Sequence, residues 1–310
     1  MTNQIKPFLK WAGGKGQLIP EIESRLPEGL TQIGTETGNI RRYVEPFVGS
    51  GAVLFHLLQN YNIDEAYIMD KNPELVLVYK VIKQEVEALI EKLKIMEEQY
   101  LPLNDEERKL YFYDVRKSFN DDLENFNFEL IDKKSIERAA QFIFLNRTCF
   151  NGLFRVNKRG EFNVPMGAYK NPQICNPDNL RGVHRLLQRV EIHLGDYTQS
   201  NMWIDNETFV YFDPPYRPLS SSSSFNSYTK YDFTDTQQIE LSQFFSEMNE
   251  REAKLMLSNS DPKNTDENDN FFDDLYRDFN INRVSARRNI NSKSSGRGII
   301  NELLITNYDR

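Results

Sequence analysis

Arg42-Tyr-Val-Glu-Pro-Phe-Val-Gly-Ser-Gly51, with the apolar run from Ala52 to Leu58 behind it, reads as strand, glycine loop and helix. Such a unit aims backbone N–H groups at a nucleotide-like ligand. The third glycine of the dinucleotide fingerprint is absent, because position 54 is Leu54. That disfavours a pyrophosphate cofactor such as NAD. A second short strand, Glu65-Ala-Tyr-Ile-Met-Asp70, ends in an acid. Asp70 falls about twenty residues beyond the glycine loop, the distance at which a carboxylate meets ribose hydroxyls. The expected fold is an α/β, Rossmann-like sheet whose ligand has a ribose and needs no pyrophosphate cradle.

A third strand makes the chemistry more specific. Phe209-Val-Tyr-Phe212 is apolar, aromatic and β-branched, and Asp213-Pro-Pro-Tyr216 ends it. Two prolines cannot donate to a ladder, so the strand stops there. Asp213 is thereby held at a strand's carboxyl end, where open α/β sheets place ligands. The carboxylate and the Pro214 carbonyl are acceptors, and Tyr216 adds a flat π-face. A planar ligand carrying an amino group suits them. The competing reading is a Pro-Pro turn beside a solvated Asp.

The rest of the chain surrounds these three segments. Residues 6–16, Lys-Pro-Phe-Leu-Lys-Trp-Ala-Gly-Gly-Lys-Gly, crowd Lys10, Trp11 and Lys15 around a glycine pair. Gly13-Gly14 permits close backbone approach, and Trp11 offers a stacking face. Gln17 to Leu26 carries a helical stripe. Lys71 to about Asn146 is helical in pattern, with Lys133 to Phe144 as one helix, which interrupts the β-α alternation. Val190 to Asp196 resumes the strands and again ends in an acid. Ala253 to Ser258, Phe279 to Val284 and Glu302 to Asn307 complete the sheet. The run Ser220 to Ser224 suggests a lid, and Arg287–Gly298 a basic Ser/Gly-rich loop.

Charge distribution points to a polyanion. The net charge of the 310 residues is −8, yet residues 147–189 hold eight Lys/Arg against Glu161 and Asp178. Arg147 to Lys170 mixes apolar residues with Arg147, Asn151, Arg155, Asn157, Arg159 and Asn163, punctuated by Gly152 and Gly160. Arg and Asn pair bidentately with guanine and adenine edges. Phe150 and Phe154 are placed to wedge or stack on bases. An ordinary surface hairpin with solvated cations is the alternative.

Composition excludes several classes. No apolar run is long enough to span a bilayer, and the first residues lack a signal peptide's hydrophobic core. Cys149 and Cys175 lie far apart and only three histidines occur. Neither a disulfide framework nor a Cys/His metal site is expected. A cytoplasmic protein with reduced thiols, and with no obligate protein partner, follows.

Taken together, Lys10-Trp-Ala-Gly-Gly-Lys15, Glu45-Pro-Phe-Val-Gly-Ser-Gly51, Phe150-Asn-Gly-Leu-Phe-Arg155, Phe162-Asn-Val-Pro165, Asp213-Pro-Pro-Tyr216 and the tail Ser294–Asn307 resemble the Dam-type DNA adenine-N6 methyltransferases. Within them the resemblance is to the alpha group (D12 class), closest to the GATC methylases of DpnII/MboI-type restriction–modification systems. The resemblance covers nearly the whole chain. It implies a methyltransferase sheet (1–70 and 186–310) binding S-adenosylmethionine, no metal, and an inserted, mainly helical target-recognition domain (71–185) for double-stranded DNA. It implies cofactor contacts at Trp11, Ala12, Gly13, Lys15, Phe47, Gly49, Ser50 and Gly51. Asp70 would take the ribose, Asp196 would sit by the cofactor's adenine ring, and Asp213 would share in the site. Lys10 and Arg155 would contact guanines, with Phe150 and Asn151 near a flipped-out adenine. Arg147, Asn157, Arg159 and Asn163 complete the expected DNA surface, and Asp213, Pro214 and Tyr216 form the catalytic set. One departure is Ala168, where family members often carry an Arg; Lys170 is the candidate to replace that phosphate contact. A methyltransferase of RNA or of a protein amide, or a non-catalytic nucleotide- or DNA-binding module, stays open on sequence alone.

Overall fold

The computed structural model describes residues 4–121, 123, 125–217, 233–287 and 299–309. The expected serine lid and nearly all of the Arg287–Gly298 loop lie outside them. Seven strands, β1 (Arg42–Glu45), β2 (Glu65–Asp70), β3 (Val190–Leu194), β4 (Thr208–Phe212), β5 (Lys254–Ser260), β6 (Asn280–Arg287) and β7 (Ile299–Thr306), form one sheet. Their order is β3-β2-β1-β4-β5-β7-β6. The first five are parallel, whereas β7 runs antiparallel to both β5 and β6. Strand order reverses between β1 and β4, the switch point at which a parallel sheet opens a crevice. Their register, with Val44 opposite Val210, brings Glu45 and Asp213 to the same end of the sheet. Every residue of β4 is buried, as a central parallel strand covered on both faces requires.

Eight α-helices are described: α1 (Ile19–Glu23), α2 (Ala52–Asn60), α3 (Pro73–Tyr100), α4 (Asp105–Asp121), α5 (Lys133–Thr148), α6 (Pro177–Leu187), α7 (Asp235–Glu250) and α8 (Phe271–Leu275). The stripe from Gln17 to Leu26 resolves into a 3-10 turn and the five residues of α1. Pro20 fixes its start and Pro27 lies just beyond its end, so the apolar spacing exceeds the helix.

Two helices from the stretch read as an insertion also cover the sheet. At the start of α3, the Tyr79 hydroxyl donates to the Gly49 carbonyl (3.1 Å) and the Lys83 ammonium to that of Val190 (2.7 Å). Its helical dihedrals break at Glu85 (φ −132°, ψ 38°). Helix α6 packs on α3, α2 and β3, as the crossover from β2 to the parallel strand β3 demands. Helix α5 lies along α3 through a buried ion pair: Arg138 Nε is 2.9 Å from Glu74 Oε2, and Nη2 is 2.5 Å from Oε1. The third nitrogen, Nη1, donates to the Phe119 carbonyl, and the rings of Phe119 and Phe126 flank the guanidinium. Both cysteines are buried and unbridged. Among the described residues no helix is long and apolar enough to cross a membrane.

Candidate active site

The glycine loop after β1 is shaped by left-handed backbone. Gly49 (φ 49°) and Gly51 (φ 72°) occupy the region that disfavours side chains. A Cβ on Gly49 would lie 3.1 Å from the Trp11 indole, and one on Gly51 only 2.6 Å from the Tyr79 hydroxyl. The indole therefore rests on the loop, and it also stacks on Phe154 (6.1 Å between centroids, 13° between planes). Phe154 packs in turn on Phe142 and Phe162. Phe154 is thus a partly buried ring packed against the core, with one face against the Trp11 indole.

Asp70 ends β2 beside that loop. Its carboxylate accepts from the Gly49 N–H (3.3 Å) and the Asn72 N–H (2.9 Å). Burial outweighs these bonds and pushes the carboxyl up to about 6. Phe47 stacks on Tyr197 (5.4 Å) and meets Phe233 edge-on, making an aromatic wall next to the loop. Asp196 does not point free into the crevice. It lies 2.5 Å from Lys71 and caps the turn at Thr198. Burial acts to raise its carboxyl, but Lys71 and the Thr198 N–H hold it below the ordinary value.

Asp213 follows β4 and is held through Oδ1. Lys15 Nζ lies 2.7 Å from that oxygen, and the Ser258 hydroxyl donates to it at 3.2 Å. Ser258 is hydrogen-bonded to the Tyr211 hydroxyl in turn (2.9 Å). Burial raises the Asp213 carboxyl against the pull of Lys15 and Ser258. Both donors converge on one oxygen, and among the described residues none donates to Oδ2. The Pro215 carbonyl is taken by Gln238 (3.0 Å), whereas no described residue donates to that of Pro214. The Tyr216 hydroxyl donates to Glu302 Oε2 (2.8 Å), and Lys15 Nζ stands 4.5 Å from its ring centre. Glu45 completes the acid group: Tyr43 donates to it at 2.8 Å, and burial pushes it well above the usual carboxylate range.

The hairpin forms, with Val156 bridged to Phe162. Asn163 accepts from Arg155 Nε at 2.8 Å. Among the described residues neither terminal nitrogen of Arg155 has a partner, so its fork is aimed and open. Asn157 is occupied by the turn, accepting from the N–H groups of Arg159 and Glu161 and donating to the Glu161 carboxylate. Arg147 is half-buried on the Phe8 carbonyl (2.7 Å), and burial lowers its ordinary value. Arg159 is exposed, and Phe150 is 53% exposed. Asn151 stands beside it with φ 56°.

Sequence reading missed Ser258, Tyr211, Glu302 and Asn146. Each lies inside a segment read as strand or helix, and Glu302 also within the tail quoted for the resemblance, without a role of its own. Glu45 opened a quoted motif but carried no assigned role.

A family model described as D12 class N6 adenine-specific DNA methyltransferase matches residues 11–290. The Type II methyltransferase M.MjaIII of Methanocaldococcus jannaschii is 52% identical, across 98% of this chain and 100% of that protein. The Type II methyltransferase M1.LlaDCHI of Lactococcus lactis subsp. cremoris is 38% identical, across 98% and 96%. The DNA adenine methylase of Vibrio cholerae is 33% identical, across 96% and 95%.

Proposed function

Because this chain belongs to the D12 class N6 adenine-specific DNA methyltransferases, we propose that it methylates adenine N6 in GATC sites of duplex DNA, with S-adenosylmethionine as methyl donor. We infer further that the target adenine is turned out of the helix and held by Asp213, Pro214 and Tyr216. The relatives named Type II methyltransferases support a modification role beside a restriction enzyme.

One observation carries the reading: Asp213 Oδ2 and the Pro214 carbonyl, to which no described residue donates, are acceptors at the switch point beside the partly exposed ring of Tyr216. Adenine N6 is a poor nucleophile because its lone pair is delocalised into the ring. Two acceptors that take both N6 hydrogens favour a pyramidal nitrogen and return the lone pair to it. Tyr216, fixed by Glu302, supplies a plane for the base to stack on. Turning the base out costs a few kcal/mol, offset by these contacts. The remaining work is positioning.

The glycine loop fits the donor, whose sulfonium supplies an electrophilic methyl group. Gly49 and Gly51 keep the loop free of side chains, the Phe47–Tyr197 pair offers a wall for its base, and Asp70 offers an acceptor for ribose hydroxyls. We assign Trp11, Ala12, Gly13, Lys15, Ser50 and Asp196 to the same donor site. We assign 1–70 and 186–310 to this catalytic unit and 71–185 to DNA recognition, with α3 and α6 serving both. In the recognition unit the open fork of Arg155 suits the O6/N7 edge of guanine. Lys10, Arg147, Phe150, Asn151 and Arg159 extend the DNA surface, and Asn157 and Asn163 shape the hairpin.

The test is to methylate a plasmid with purified protein and S-adenosylmethionine, then challenge it with GATC-sensitive nucleases. Protection at GATC sites alone is expected, and Asp213→Ala should abolish it while duplex binding stays measurable. Transfer to RNA or protein in preference to duplex DNA, or turnover by Asp213→Ala near that of the parent, would overturn the proposal.

A further inference from the structure

Lys10 and the turn Phe150–Gly152 lie far apart in the chain and side by side in the fold, and one side chain ties them together. Asn146, in the last turn of α5, is 1% exposed. Its Oδ1 accepts from the Lys10 N–H (2.9 Å), and its Nδ2 donates to the carbonyls of Lys10 (2.8 Å) and Gly152 (2.9 Å). Only a primary amide offers an acceptor and two donors in one compact plane; Asp keeps the acceptor and loses both donors. The lysine stem then lies against Gly152, where a Cβ would be 2.4 Å from Lys10 Cδ. The ammonium rests 3.8 Å from the centre of the Tyr169 ring. A lysine is a flexible point charge, and here backbone, stem and head are each held.

We propose that Asn146 is a positioning residue for base discrimination, locking Lys10 and the Phe150–Gly152 turn into one register so that they read the target as a unit. This rests on the assignment of Lys10 as a guanine contact. Neither element reaches that register independently. Lys10 belongs to the segment that continues into Trp11 and the glycine loop, and the turn belongs to the hairpin. Without the amide, two carbonyls and an N–H lose their partner in a partly buried place, and the lysine backbone is released from its fixed approach.

Initial rates on duplexes carrying GATC and each single-base variant test this, together with affinity for a duplex lacking the site. Lys10→Ala should narrow discrimination at the guanine it reads. Asn146→Ala should narrow it at the same base pair by about tenfold, the order expected for loss of one good base contact, with non-specific affinity within about twofold of the parent. Gly152→Ala displaces the lysine stem from the other side and should reproduce the pattern even if Asn146→Ala folds poorly. If Lys10→Ala narrows discrimination but Asn146→Ala and Gly152→Ala slow all duplexes by a common factor, Asn146 is a structural staple and the proposal fails. If Lys10→Ala leaves every ratio unchanged, the assignment of Lys10 fails first and takes the proposal with it.

Discussion

The Lys15 ammonium sits 2.7 Å from Asp213 Oδ1, within a pocket where both side chains are mostly buried. Burial alone would favour a neutral Asp213; the lysine opposes it and leaves the carboxylate ready to accept a hydrogen bond. Lys15→Met should therefore move the acid limb of kcat to higher pH, because the Asp213 carboxyl would rise further. Activity near pH 6 should fall more than activity near pH 9. A pH–rate profile that drops uniformly would remove Lys15 from the control of Asp213 ionisation.

Asp70 predicts opposite effects on stability and binding. Its folded-state value of about 6 lies above its ordinary one. Its protonation stabilises the fold fully below the unfolded value, and that stability is lost as pH rises through about 6. Asp70→Asn should thus stabilise the ligand-free protein above pH 6 by about 1–2 kcal/mol, with little gain at pH 4. The same change should weaken S-adenosylmethionine binding. Denaturant melts at the two pH values and calorimetric titration check both halves.

Arg138 and Glu74 are a buried pair whose partners are fully engaged. Arg138→Ala leaves the Glu74 carboxylate uncompensated and should cost about 3–5 kcal/mol. The double variant Arg138→Met/Glu74→Leu should recover most of that loss, since no charge is stranded. Urea unfolding of the parent, single and double variants measures it; equal destabilisation of single and double variants would contradict it.

Arg155→Ala should lower methylation of GATC duplexes far more than it lowers general DNA affinity, since a bidentate guanine contact is worth roughly 1–3 kcal/mol of discrimination. Asn163→Ala frees the same guanidinium without removing it and should produce a milder form of the defect. Uniform loss of affinity with a shallower salt dependence would instead identify Arg155 as a phosphate clamp.

Local chemistry made much of this molecule readable in the chain. Strand ends announced themselves because Pro214-Pro215 cannot pair and because Gly49 and Gly51 adopt backbone that other residues avoid. An acid at the end of a short strand, as at Asp70 and Asp196, was legible as the place where parallel strands stop together. The hairpin followed from Gly152, Gly160 and alternating cations. Bounds were less secure where a stripe outran its element, as around α1, where prolines and not apolar spacing set the length.

Tertiary structure alone decided which groups share an atom. Ser258 and Tyr211 look like core positions in apolar strands, and the register of β4 on β5 turns them into the support of Asp213. Glu302 gains its role when β7 inserts antiparallel between β5 and β6 and brings it to Tyr216. Phe154, read in the chain as a ring for bases, packs between Trp11, Phe142 and Phe162, a partnership that no local pattern announces. Asn146 was hidden for the same reason: a helical asparagine announces nothing until a distant backbone arrives with an unpaired N–H and two carbonyls. The chain carries the residue types and their local geometry, whereas partnership across long sequence separations appears only when the sheet and the helices fix their distances.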